Sequence, residues 1–172
     1  MLPFHLSQTT ADEVTTLKGM LDMQRSILLW KLEGLSEQDA QRSFVTSGTS
    51  LLGIVQHMAW VEQWWFLEFI GGENPDYPWS EEDPDADFRI ESGQTITSVA
   101  QRYADAVALA DAIIAGAPNL DVTGTLPNDN SDRAERTLRW VLVHMIEETA
   151  RHAGHMDIIR ELIDDATGYY PE

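Results

Sequence analysis

Four long stretches of this chain repeat apolar residues at intervals of three, four or seven, and none alternates apolar with polar residues as a core strand does. Such intervals place side chains on one face of an α-helix. The first stretch covers about residues 11–32, with Val14, Leu17, Leu21, Leu28 and Leu32 on its stripe. Thr9 and Thr10 are its expected N-caps and Gly34 its stop. The second covers about 50–70, capped by Ser47 or Thr49 and ended by Gly71-Gly72. The third covers about 95–115, through Val99, Tyr103, Val107, Ala110 and Ile114, and Gly116, Pro118 and Asn119 stop it. The fourth covers about 135–163, with Leu138, Leu142, Met145, Ile159 and Ile163 on its buried face.

Two long connections separate these stretches. Residues 73–92 are acidic and Pro-rich, with Tyr77-Pro78-Trp79 and the run Glu81-Glu82-Asp83-Pro84-Asp85. That is long for a structureless loop in a compact domain, so a packed surface crossover or lid is expected. Its acidity fits either a binding surface or a solvated face. Residues 121–133 carry Gly124, Pro127 and Asn128-Asp129-Asn130-Ser131. The pattern predicts an all-α four-helix bundle with long crossovers, as one domain over residues 1–172.

Charge narrows the function. The chain has 11 Lys+Arg against 29 Asp+Glu, a net charge of −18. Nucleic acid and anionic membrane surfaces both call for clustered cations, so neither is an expected partner. The longest mostly apolar run without charge, residues 50–61, is shorter than the roughly 20 residues that span a bilayer. Met1-Leu2-Pro3-Phe4-His5-Leu6 has no basic region, and a cytoplasmic location is expected. There is no Cys. Disulfides, a thiol nucleophile and Cys-type metal sites are therefore excluded, and thiol chemistry would need a thiol from outside.

Of the 5 His, three lie close together in the fourth stretch. His144, Glu148 and His152 are spaced i, i+4, i+8, which stacks them on one helix face, and His155 lies near it. A carboxylate buried on such a face needs a compensating charge, from a divalent cation, His⁺ or Arg. Two ligands four apart grip a metal from one side, and a third must come from another helix. His57, in the mostly apolar Leu51–Met58 run, is the candidate. Taken singly, each residue has a plainer explanation: His57 as a hydrogen-bonded core histidine, Glu148 and His152 as a helix ion pair. His144 and His155 fit neighbours of the site, and His5 a bystander. Trp60 and Trp64, four apart, fit pocket walls or ordinary core.

Two stretches carry a family resemblance. One is Ser50-Leu-Leu-Gly-Ile-Val-Gln-His57-Met-Ala-Trp-Val-Glu62-Gln-Trp-Trp65-Phe. The other runs from Leu138 through His144, Glu148, Arg151, His152, His155 and Arg160 to Asp164, with Ala166-Thr-Gly168 behind it. In these the chain resembles the DinB-like superfamily of metal-binding four-helix bundles, of the DinB/YfiT-like type. Within it, the chain is similar to the branch of mycothiol-dependent enzymes. The resemblance implies a metal triad of one His from the second helix and a His-x-x-x-His pair from the fourth. His57 and His152 match two of these positions. Glu148 stands where many members have His, as it does in the mycothiol-dependent maleylpyruvate isomerase branch. The implied ligands are therefore His57, Glu148 and His152, with His155, where much of the superfamily has Gln, as a pocket neighbour.

Two imidazoles and a carboxylate suit Zn²⁺ first, and also Ni²⁺, Mn²⁺ or Fe²⁺. Three protein ligands leave a position open for substrate. The resulting expectation is a metal-dependent thiol transferase or isomerase, using a low-molecular-weight thiol such as mycothiol on a small electrophile. Arg151, Glu62, Asp157, His155 and His144 are candidates to orient ligands or move protons, and Trp60 and Trp64 to wall the thiol pocket. The competing expectation is a non-catalytic, stress-related metal-binding bundle with a closed site, or a bundle with no metal. Similar proteins make a homodimer possible.

Overall fold

The computed structural model describes residues 10–125 and 135–168. His5, Thr9, Asn128–Ser131 and Pro171 lie outside them. The described chain is a mainly all-α helical bundle with one small two-stranded sheet. Its elements are α1 (Glu13–Trp30), α2 (Glu37–Gln41), α3 (Leu51–Glu62), α4 (Ile96–Gly116) and α5 (Leu138–Asp164), with strands β1 (Thr123–Thr125) and β2 (Glu135–Thr137).

The four long helices follow the apolar stripes, and side chains set their starts. Asp12, not Thr10, caps α1, because its carboxylate accepts both the amide and the hydroxyl of Thr15. Ser50 itself caps α3, through the Gly53 amide, rather than Ser47 or Thr49. Thr95 and Ser98 form a reciprocal capping box on α4. Thr137 caps α5, three residues later than the sequence pattern suggests, because residues 135–137 pair antiparallel with 123–125. Three-residue strands are too short to show alternation. Gly124 is required there, since a Cβ would sit 2.0 Å from the Phe69 carbonyl oxygen. The single-turn α2, capped by Ser36, is likewise too short to carry a period.

Helix α3 does not end at Glu62. It continues over Gln63–Ile70 as a wider π-helix, whose end is marked by the Gly71 amide donating to the Phe66 carbonyl at 2.9 Å. Gly72 then takes a left-handed φ of 73° and turns the chain out.

Packing joins α3 to α4, α1 to α5, and α3 to α5. Lys18 and Arg25 of α1 bridge to Asp111 of α4. The core between them includes Leu21, Leu28, Leu52, Met58, Phe66, Leu138 and Met145, all without exposed surface. Burial of this kind supplies the main stabilisation, at about 25 cal/mol per Å² of apolar area. The long 73–92 connection is a packed crossover. It closes onto α3 through a 3₁₀ turn at Ala86–Phe88.

Candidate metal centre

Helices α3 and α5 face each other, and this is what brings the distant histidines together. His57 projects from α3, and Glu148 and His152 from consecutive turns of α5. One potential ligand atom from each lies within 4.8 Å of the other two. His152 Nε2 is 3.1 Å from Glu148 Oε1, and His57 Nε2 is 4.0 Å from the same oxygen. Ligands about 2.1 Å from a tetrahedral cation would stand roughly 3.4 Å apart. The observed separations bracket that value, and the two-imidazole, one-carboxylate donor set suits a divalent transition metal. The residues therefore fit a metal ion.

The electrostatics point the same way. The hydrogen bond with His152 and the nearby His57 imidazole hold the Glu148 carboxyl well below the usual carboxylate range. Burial pulls the His57 imidazole down, but its hydrogen bond to Asp87 and the nearby Glu148 carboxylate outweigh it and keep it above 6.5. A carboxylate is acceptor-only, so His57 Nδ1 donates to Asp87 Oδ2, at 2.6 Å. That leaves His57 Nε2 as the lone-pair nitrogen facing the cluster. Asp87 gave no sign of this role in the sequence. It sits 30 residues from His57, in a segment without periodicity.

A cavity of about 330 Å³ opens beside the cluster. His57, Val61, Trp64, Trp65, Trp79 and His144 line it, so its walls are largely aromatic. Trp65 lies edge-on to His144 at 4.8 Å between centroids, and Trp140 stacks on His144 at 5.0 Å.

The remaining candidates fall in different places. Trp64 lines the cavity. Trp60 instead lies under the Arg102 guanidinium at 3.6 Å and edge-on to Tyr77 and Trp79. His155 is 5.5 Å from His152 between ring centroids, outside the ligand group, and burial together with His152 and Arg151 depresses it. Arg151 is 64% exposed, with Nη1 3.8 Å from Glu148. Glu62 is fully buried in an ion pair with Arg25, and Asp157 pairs with Lys31.

Two imidazoles and a carboxylate, converging from two facing helices of a bundle beside an aromatic cavity, form a group that could hold a metal ion, in a helical bundle of the DinB-like class. The chain belongs to the Mycothiol-S-transferase family, whose sequence model matches residues 16–165. It is thus a transferase by family, with a thiol as substrate. Comparison with curated proteins finds no match. No helix among the described residues is long and apolar enough to cross a membrane.

Proposed function

We infer that this protein is a metal-dependent S-transferase that joins a mycothiol-type thiol to a small electrophile, with isomerisation of a bound electrophile as the related outcome. The observation that carries this reading is the shared position of His57, which belongs both to the ligand cluster and to the cavity wall. A divalent cation held by His57, Glu148 and His152, zinc in the first instance and nickel, manganese or iron by donor type, supplies charge that stabilises a thiolate near neutral pH.

The chain's own residues do the rest. Glu148 contributes the one negative ligand, so two of the three donors are neutral and the centre keeps net positive charge. Trp64 and Trp79 hold the apolar body of the electrophile and exclude water from one side. A sulfur–carbon bond forms as the leaving group departs with its electron pair, and the thiol proton passes to solvent at the cavity mouth. His144 and His155 stand outside the ligand group, which supports an open position over the closed site of a metal store.

The reading includes a cytoplasmic location, one domain and no nucleic-acid partner, the last supported by the net charge of −18. It also includes a homodimer, supported by Val143, Ile158 and Leu162, which face solvent on α5. The test is thiol transfer from mycothiol to a chlorodinitrobenzene-type acceptor, with and without zinc. Thiol-dependent product only in the metal-loaded sample is expected. No product with mycothiol, bacillithiol or glutathione would sink the proposal.

A further inference from the structure

Asp87 reaches the metal centre from the 73–92 crossover, and it is only 5% exposed. Its Oδ2 accepts the His57 Nδ1–H, while Oδ1 is buried with no hydrogen-bond partner among the described residues. A buried carboxylate with a single partner is costly to keep. What it does to that partner accounts for its place.

The backbone around Asp87 is clamped onto α3. Gly53 allows the approach, since a Cβ there would lie 2.5 Å from the Phe88 carbonyl oxygen. Gln56 Nε2 donates to the Arg89 carbonyl at 2.6 Å, and Gln94 Nε2 donates to Gln56 Oε1 at 2.7 Å. Phe88 stacks on the His57 ring, 4.0 Å between centroids and 12° from parallel. The His57 ring is thus held at one edge by Asp87 and across one face by Phe88. His152 has no carboxylate at its far edge, since its Nδ1 is buried without a partner among the described residues.

We propose that Asp87 is the positioning residue of the metal centre, fixing His57 in its Nδ1–H tautomer and aiming Nε2 at the Glu148–His152 pair. This rests on the metal-centre reading above. A carboxylate on the far N–H of a ligating imidazole orients the ring and raises its basicity, and losing it typically weakens metal binding by about 10–100-fold. The crossover is thereby part of the site, because it carries both groups that hold His57.

The test is zinc titration against a competing chromophoric chelator, with circular dichroism confirming the fold of each variant. Asp87→Asn is expected to weaken zinc binding by about 10–100-fold. Asp85→Asn removes the same charge from an exposed neighbour and is expected to shift affinity only a few-fold, since surface charge is screened. Nuclear magnetic resonance of the zinc-loaded wild type is expected to show a slowly exchanging His57 Nδ1–H proton, a readout that does not depend on the variant folding. Wild-type affinity in Asp87→Asn, or absence of that proton, overturns the proposal. If wild type binds zinc, His57→Ala loses it and Asp87→Asn does not, this proposal alone fails. If wild type binds no zinc, the metal-centre reading fails with it.

Discussion

Arg25 and Glu62 meet inside the bundle with no exposed surface on either side chain, the guanidinium donating from Nε at 2.7 Å and from Nη2 at 2.6 Å. Arg25 Nη1 also reaches Asp22 and Asp111, each at 3.0 Å. Burial pushes the Glu62 carboxyl up while Arg25 pulls it down, so the pair depends on mutual compensation. Removing the Glu62 charge leaves the buried Arg25 with carboxylates only at Nη1 and none at Nε and Nη2. Glu62→Gln is expected to cost about 3–5 kcal/mol in chemical denaturation. The zinc affinity of the folded variant should match wild type. Unchanged stability with weakened zinc binding would move Glu62 into the metal site.

Removal of the ligands should remove the metal. Elemental analysis of purified His57→Ala and His152→Ala is expected to show little bound cation, against one per chain in wild type. Chelation should lower the unfolding temperature of wild type, since a ligand at 100 times its Kd stabilises the folded state by about 2.7 kcal/mol. The His57→Ala protein should show no such drop. A chelator-induced drop of wild-type size in that variant would place the metal elsewhere.

The pH dependence of the metal-free protein has a definite sign. His57 is held above 6.5. Its favourable contacts as a cation therefore contribute fully below 6.5 and are lost as pH rises through the folded value. Glu148 is held well below 4.5, so its contribution is present above 4.5 and lost as pH falls through the folded value. Only neutral His57 can ligate, so zinc affinity should keep rising with pH beyond 6.5 rather than level off there. Calorimetric zinc titrations on both sides of that value check this. A plateau already reached at 6.5 would contradict it.

Trp64 and Trp60 separate pocket wall from scaffold. Trp64→Ala is expected to raise KM for an aromatic electrophile about tenfold, equivalent to ~1.4 kcal/mol. Trp60→Ala loses its contact with Arg102 and should lower stability with little change in KM. Steady-state kinetics and thermal unfolding of the two variants decide the matter. Equal KM effects would mean that both rings meet substrate.

Much of the bundle can be read from apolar spacing, because Leu21, Leu28, Leu142 and Met145 recur at helical intervals and are all buried. The short elements cannot. Residues 37–41 and the three-residue strands fall below the length at which a period shows. The Glu148–His152 pair is legible because four residues make about one helical turn. Trp60 and Trp64, at the same spacing, part company. Trp64, in the π segment that begins at Gln63, lines the cavity, whereas Trp60, in the α-helical part, lies against Arg102.

By itself the sequence determined the four long helices, the local pairing of Glu148 with His152, and the absence of any thiol of its own. Only the tertiary structure decided that Glu62 belongs to Arg25, 37 residues away, and that Asp87 belongs to His57, 30 residues away. The reason is range. Backbone hydrogen bonds and side-chain periodicity act within a few residues and leave a pattern in the chain. The partner of a buried charge depends on which helix faces the bundle brings together, and no local pattern encodes that.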